Sequence, residues 1–285
     1  MSLWQAVVLG LVQGLAEFIP ISSTGNLTLV GKLMGLVSPE HPEQWTAFIA
    51  VIQLGTLVAV TGYFLPDIVR IIRGFIVTNL ALMTRGSATE EDRRNGMLGW
   101  LIILGTVPIG VVGLLFRKVI EGSLTKNLWA IAGAVIGLAI LLLIAERTGA
   151  RKRDIKALQW SDALVVGAAQ VVSLIPGSSR SGTTITGGLF AGLTREAAAR
   201  FSFLLSIPAV AASGLLELPK ALKSVGVPMS TLAVATVVAG VSGYLSIAFL
   251  LRYLQRHSTY LFIWYRLALG AVIILLLLTG VVAAS

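Results

Sequence analysis

The 285-residue sequence contains no cysteine and only two histidines, so several kinds of chemistry are excluded at the outset. A chain without cysteine forms no disulfide bond and carries no thiolate nucleophile. The two histidines, His41 and His257, lie in polar stretches where we expect ordinary loop residues. The sequence has no GxxxxGK[ST] phosphate-binding loop, which argues against a protein driven by nucleotide hydrolysis.

Charge is also scarce, because 12% of the residues are charged and 56% are hydrophobic, with a mean hydropathy of +0.89. This composition is too apolar for a soluble domain of this length, and it predicts an all-α polytopic membrane protein. Six apolar stretches have the length that a helix needs to cross the hydrocarbon core. These stretches are 46–66, 97–116, 127–145, 198–217, 229–251 and 259–282.

The net charge of +9 does not indicate a nucleic-acid partner, because the cations are distributed over short loops between the apolar stretches. Most Lys and Arg residues fall in 67–95, 147–157, 195–200 and 252–256, which we expect to be cytoplasmic loops, with both termini outside. Membrane lipids are then the expected surroundings. The first segment contains Glu17 and lacks a basic leader region, so we do not interpret it as a signal peptide.

Two further apolar regions, 3–36 and 160–193, are each interrupted by proline and a run of small polar residues. The segment QGLAEFIPISSTG at 13–25 is matched by QVVSLIPGSSRSG at 170–182. Each region predicts two half-helices joined by irregular backbone, in a re-entrant hairpin. Non-helical backbone at membrane depth needs protein or water to satisfy its polar groups, so we expect a polar interior there.

Six spans and two hairpins predict an inverted repeat. Three spans separate the hairpins, so the second would enter the membrane from the side opposite to the first. We expect a single domain, 1–285, with halves at about 1–147 and 157–285. Inverted repeats with broken helices usually place their site where the two breaks meet.

The side chains at the two breaks indicate an anion-binding site. Gln13 and Glu17 lie on one face of a half-helix, and Ser22, Ser23 and Thr24 can cap the next one. The second break offers Ser178, Ser179 and Ser181 and adds Arg180, whose guanidinium can hold two phosphate oxygens. The alternative is structural, with Glu17 and Arg180 as a buried ion pair and the serines as helix caps.

At these residues the chain resembles the undecaprenyl-diphosphate phosphatase family, also known as the bacitracin-resistance proteins. The first signature of the family matches Gln13 to Glu17 and the run from Pro20 to Asn26, and the second matches Pro176 to Thr184. Three more stretches also resemble family positions. They are Phe48 to Gly55, Phe201 to Pro208, and Tyr265 with Arg266.

The resemblance implies hydrolysis of a C55 polyprenyl diphosphate to the monophosphate carrier at the outer face of the bacterial inner membrane. It further implies recycling of the lipid carrier for peptidoglycan synthesis, and thereby roles in cell shape and bacitracin resistance. A divalent cation, Mg²⁺ or Ca²⁺, is a cofactor the resemblance suggests, with Glu17 as its ligand. Gly-rich spans suit close helix packing and could also form the seam of a homodimer.

The resemblance also implies roles for individual residues. The implied catalytic residues are Glu17, Ser23, Arg180 and Asn26. The implied substrate-binding residues are Gln13, Ser22, Thr24, Ser179, Ser181 and Thr184. The nucleophile is either Ser23, with Glu17 as its base, or a water that Glu17 or a cation activates. Arg266, inside the last span, is expected to pair with a polar group such as Glu217 or to reach the phosphate.

Asn26 departs from the family, which usually has histidine at this position. Asparagine keeps the hydrogen bonding of a neutral imidazole but cannot be protonated to transfer a proton. Either Ser23 and Glu17 are sufficient for catalysis without a histidine, or Asn26 weakens catalysis. The rival functions are a transporter that moves the lipid phosphate between leaflets and a structural or lipid-sensing protein. The scarcity of histidine argues against the membrane-type acid phosphatases that depend on it.

Overall fold

The computed structural model describes residues 1–37, 42–116, 127–224 and 226–283. Within these ranges the chain forms eleven α-helices and no strand. The first six helices are α1 (Leu3–Phe18), α2 (Ser23–Leu33), α3 (Pro42–Tyr63), α4 (Leu65–Thr84), α5 (Glu90–Leu115) and α6 (Leu128–Thr148). The other five are α7 (Trp160–Val172), α8 (Arg180–Phe190), α9 (Arg195–Ser224), α10 (Met229–Arg256) and α11 (Tyr260–Leu278).

Six of the described helices are long and apolar enough to cross a membrane, namely α3, α5, α6, α9, α10 and α11. Each coincides with one of the six apolar stretches of the sequence. The prediction of an all-α chain with six spans is therefore confirmed. The chain is a multi-pass membrane protein, and the large side chains exposed along these helices are the surface that a bilayer would cover.

The segment 67–95 was expected to be a loop, and this was wrong for most of its length. Helix α4 follows α3 almost directly and packs against the beginning of α5, where Gly74 and Gly96 bring the two backbones close. Apolar side chains are exposed along α4 at helical spacing, including Leu65, Val69 and Ile72. The charged residues of this amphipathic helix keep its mean hydropathy below that of a membrane span. Hydropathy alone therefore does not identify it as a helix.

Both interrupted regions consist of two helices, as the sequence predicts. Helix α1 packs along α10, and α7 packs along α5. A Cβ atom on Gly10 would lie 2.5 Å from the carbonyl oxygen of Ala235, and one on Gly167 would lie 2.6 Å from that of Gly105. Since each glycine lies three residues before the glutamine of its repeat, the two halves use the same position for close helix contact.

A basic linker joins the two halves and is held by ion pairs. Arg153 donates two hydrogen bonds of 2.7 Å to the carboxylate of Asp162, which raises the pKa of the guanidinium, and a third to the carbonyl of Ala191 at the end of α8. Buried Glu146 accepts hydrogen bonds from Arg151 (2.8 Å) and Arg195 (2.9 Å). The linker thus anchors the end of α8 opposite to its break.

Candidate active site

The two breaks end in the same local structure. Ser22 and Ser179 are the N-caps of α2 and α8, and both have left-handed backbones, with φ of 73° and 67°. Each hydroxyl accepts a hydrogen bond from the backbone N–H three residues later, Gly25 at 3.1 Å and Gly182 at 3.2 Å. A left-handed conformation is unfavourable for serine, and such strain clusters at functional sites.

These caps leave two helix N-termini available for an anion. The backbone N–H groups of Ser23 and Thr24 in α2, and of Arg180 and Ser181 in α8, lie in first turns and have no intrahelical acceptor. The hydroxyl of Ser181 donates to the carbonyl of Ile19 at 3.4 Å, so the two breaks are in contact. Two N-termini that meet in this way favour negative charge between them.

The carboxylate of Glu17 lies beside the N-terminus of α8 and accepts hydrogen bonds from three side chains. Arg180 donates to Oε1 of Glu17 at 2.5 Å, and the two side chains are only 14% and 6% exposed. Nε2 of Gln13 donates to Oε2 of Glu17 at 3.1 Å, as their spacing on α1 predicts. Gln53 of α3 donates to Oε1 at 3.2 Å. The pairing of Glu17 with Arg180 joins residues from opposite halves of the chain.

Gln53 was not among the predicted site residues, although it lies in the stretch Phe48 to Gly55. The signal that could have identified it is a polar amide inside an apolar span, where such a side chain needs a partner. Here its partner is the same carboxylate that binds Arg180. Gln53 and Glu17 are 36 residues apart, so the sequence alone does not indicate this contact.

The hydroxyls divide into two groups. Ser23 is partly exposed and Thr24 is exposed, and within the described part of the chain the Ser23 hydroxyl makes no hydrogen bond. Thr184 is completely buried, its hydroxyl donates to the carbonyl of Arg180 at 2.7 Å, and the same hydroxyl lies 2.5 Å from the hydroxyl of Ser202. The structure therefore places Thr184 behind the site, as a support for α8, while Ser23 is free to contact a ligand.

Asn26 is turned toward the backbone of the first break. Its Nδ2 donates to the carbonyl of Ile21 at 3.0 Å and to that of Ser22 at 2.8 Å. Its Oδ1 accepts a short hydrogen bond from the hydroxyl of Tyr265 in α11. Both donors of the amide are thus used within the protein.

Arg266 connects both breaks to α6. This fully buried side chain donates to the carbonyls of Pro20 (3.4 Å), Gly177 (3.2 Å) and Ser178 (3.3 Å). Further bonds go to carbonyls of α6, at Ala134 (3.5 Å) and Val135 (3.1 Å). The polar groups that Arg266 pairs with are thus backbone carbonyls, and the side chain of Glu217 lies outside the described residues.

A metal site in the usual form is not visible, because the described residues contain no cluster of three or more His, Asp or Glu side chains. One observation nevertheless suits a hard cation. Oε1 of Gln13 is buried and has no hydrogen-bond partner among the described residues, and it belongs to a side chain bonded to Glu17. An amide oxygen beside a carboxylate is a ligand pair that Mg²⁺ and Ca²⁺ accept.

Comparison with known proteins shows the family to which the chain belongs. The family model described as bacitracin resistance protein BacA matches residues 6–272. An undecaprenyl-diphosphatase of Syntrophobacter fumaroxidans is 55% identical over 275 residues, which cover 96% of this chain and 97% of that protein. Those of Chlorobaculum tepidum and Mycobacterium marinum are 48% and 46% identical, with at least 98% of each chain covered. The chain therefore belongs to the bacitracin resistance protein BacA family.

Proposed function

We propose that this protein hydrolyses undecaprenyl diphosphate to undecaprenyl phosphate and inorganic phosphate. Its membership of the family and the names of its relatives support this reaction. The observation that carries the proposal is the pair formed by Glu17 and Arg180 beside two helix N-termini. A carboxylate, a guanidinium and several free N–H groups are what a diphosphate and its transition state require.

Substrate binding begins at Arg180. Among the described residues, Glu17 and, at 3.4 Å, the carbonyl of Ser206 use only part of its guanidinium. Its other N–H groups can take phosphate oxygens while the N-termini of α2 and α8 bind the rest of the headgroup. The polyprenyl chain then lies along the apolar surface of the helices.

Catalysis follows from the exchange of partners at Glu17. When a phosphate engages Arg180, Oε1 of Glu17 loses its charged partner and becomes free to accept a proton. The proton comes either from the hydroxyl of Ser23, which has no hydrogen-bond partner among the described residues, or from a water. Serine attack on the terminal phosphorus would break its bond to the bridging oxygen, release undecaprenyl phosphate and form a phosphoseryl intermediate that water hydrolyses to inorganic phosphate. Water attack would break the same bond and release undecaprenyl phosphate and inorganic phosphate in a single step.

A divalent cation fits the amide oxygen of Gln13 and the carboxylate of Glu17. A bound Mg²⁺ or Ca²⁺ would neutralise charge on the diphosphate oxygens. Gln13 and Glu17 would hold it beside the guanidinium of Arg180. Arg180 and the helix N-termini would still bind the phosphoryl group that is transferred.

We place the site at the outer face of the bacterial inner membrane. The distribution of Lys and Arg over the expected inner loops supports this orientation, and the two pairs of helices would be re-entrant hairpins. Hydrolysis at that face would return the carrier lipid to peptidoglycan synthesis. Removal of the diphosphate that bacitracin binds would account for resistance to the antibiotic.

The transporter is the second candidate, because α1 packs on α10 as α7 packs on α5, and Gly10 and Gly167 occupy the same place in each contact. Related halves of this kind are common in proteins with alternating access. Asn26 also lacks the acid–base capacity of histidine. The same pair, Glu17 and Arg180, would then hold a lipid phosphate without cleaving it.

Phosphate release from undecaprenyl diphosphate by the purified protein in detergent distinguishes the two functions. The enzyme releases phosphate as the sequence stands, and Asn26→His changes the rate without being needed for it. Release only after Asn26→His would identify a silenced phosphatase. If neither protein released phosphate, with or without Mg²⁺ or Ca²⁺, the enzyme assignment would be wrong and transport would take its place.

A further inference from the structure

The carbonyl oxygens of the first break all have hydrogen-bond donors. Ile19 accepts from the N–H of Ile21 and the hydroxyl of Ser181, and Pro20 accepts from Arg266. The carbonyl of Ile21 accepts from the side-chain amide of Asn26, and that of Ser22 accepts from both the side-chain amide and the backbone N–H of Asn26. No carbonyl between the two half-helices is therefore left to point at a bound anion.

This arrangement has an electrostatic consequence. A carbonyl oxygen carries partial negative charge, so one that faced a phosphate would oppose the attraction of the nearby N–H groups. Asn26 holds the carbonyl of Ile21 with its side chain and that of Ser22 with its side chain and its backbone N–H. The same residue can therefore influence phosphate binding without touching the phosphate.

Asn26 needs a fixed orientation to do this. An asparagine side chain can rotate by half a turn and exchange its oxygen and nitrogen, and its oxygen would then repel both carbonyls. The carbonyls of Ile21 and Ser22 only accept hydrogen bonds, so they require Nδ2 on their side, and the hydroxyl of Tyr265 restrains the amide in this orientation by donating to Oδ1. Tyr265 comes from α11 and lies 239 residues away in sequence, so it also connects the break to the last span.

We propose that Tyr265 is a positioning residue of the anion site, which fixes the amide of Asn26 so that it holds the Ile21 and Ser22 carbonyls away from the phosphate. This inference rests on the proposed phosphate chemistry but needs only anion binding. Position 26 then acts through the backbone and not as an acid or base. Arg266, the neighbour of Tyr265, holds the carbonyls of Gly177 and Ser178 in the second break in the same way.

The test is a double-mutant cycle between Tyr265→Phe and Asn26→Leu, read out by binding. The probe is methylenediphosphonate, a diphosphate analogue that cannot be hydrolysed, titrated calorimetrically into the full-length protein in detergent. We expect about a tenfold higher Kd for Tyr265→Phe, the size expected for one lost hydrogen bond. Because Tyr265 acts through Asn26, the double variant binds no more weakly than Asn26→Leu alone.

Tyr244→Phe is the matched control, because Tyr244 is exposed on α10 and its ring packs on Tyr63, a residue of α3 that belongs to neither break. Its Kd remains within about twofold of the wild type. Thermal unfolding of each variant separates positioning from stability, since a purely structural role would lower the Tm and leave the Kd unchanged.

Three results would overturn the proposal. They are an unchanged Kd for Tyr265→Phe, losses in the two single variants that multiply in the double variant, and no binding of the probe by the wild type. Phosphate release is measured on the same samples. If the wild type binds the probe with the expected coupling but releases no phosphate, the proposed hydrolysis fails while the positioning role remains.

Discussion

Arg266 is fully buried, and carbonyl oxygens of three separate segments accept hydrogen bonds from its guanidinium. A buried cation is costly, and the five carbonyls offset this cost only while all of them are held in place. The same bonds satisfy acceptors of both breaks that would otherwise lack donors. At the residue scale, this side chain is therefore the structural centre of the site.

Arg266→Met should destabilise the protein strongly, because it leaves the break carbonyls without donors. A loss of about 3–5 kcal/mol is expected from the removal of one partner of a buried charged network. Chemical unfolding in detergent measures it. Arg256→Met, at the exposed end of α10, is the control and should change stability by less than about 0.5 kcal/mol. Equal losses in the two variants would contradict this role.

Gln13 allows a test of the cation. Gln13→Glu places a second carboxylate beside Glu17, so the Mg²⁺ concentration needed for half-maximal phosphate release should fall about tenfold. Gln5→Glu, which preserves the capping box of α1, is the control. The rate is measured against Mg²⁺ after treatment with a chelator. Phosphate release that a chelator does not reduce, in either variant, would rule out the metal proposal.

The residues of the site were predictable to different degrees. Glu17 and Arg180 could be brought together from the sequence because the repeat places both at a break. Gln53 could not be placed, because its contact with Glu17 depends on how α3 packs against α1. The partner of Asn26 was equally hidden, since Tyr265 lies at the other end of the chain.

At the scale of helices, glycine positions determine the closest packing. Gly10 on α1 and Gly167 on α7 lie against carbonyl oxygens of the partner helices, so a methyl group at either position would overlap with backbone. At Gly137 on α6, the position that a methyl group would occupy has no other atom within 4 Å. The same residue type therefore serves packing in two helices and leaves open space in a third.

Alanine at these positions should have opposite effects. Gly10→Ala and Gly167→Ala both force their helices apart and should each cost about 1–3 kcal/mol. Gly137→Ala has room and gains helix propensity, so it should stabilise by up to about 1 kcal/mol. The free energy of unfolding of the three variants checks this. Similar values for all three would show that the glycines do not set the helix distances.

Helix boundaries were predictable where hydropathy alone decides them. All six spans and both breaks follow from long apolar runs and from the Pro and Ser residues that interrupt two of them. Helix α4 was missed because Arg70, Arg73 and Asp67 break its apolar run, although its apolar residues recur at helical spacing. A search for periodicity in 67–95 in addition to mean hydropathy would have found it.

At the scale of the whole molecule, the absence of cysteine makes the orientation measurable. Ser87 lies in the loop after α4 and Ser230 at the start of α10, and both are exposed. A membrane-impermeant maleimide added to intact cells should label Ser230→Cys and leave Ser87→Cys unlabelled, because the cations around residue 87 favour the cytoplasm. Labelling of Ser87→Cys alone would invert the orientation and place the site on the other side.

The central claim is that Arg180 binds the phosphate of a diphosphate that this chain cleaves, and phosphate release tests it most directly. The rate is measured for the wild type, Arg180→Ala and Arg200→Ala in detergent with undecaprenyl diphosphate. Arg200 is the matched control, because it too forms an ion pair, with Asp67 at 2.9 Å, and this partner lies in α4 and not in a break. The account predicts near wild-type release by Arg200→Ala and a loss of about 10³-fold in Arg180→Ala. Equal rates in the two variants would contradict it.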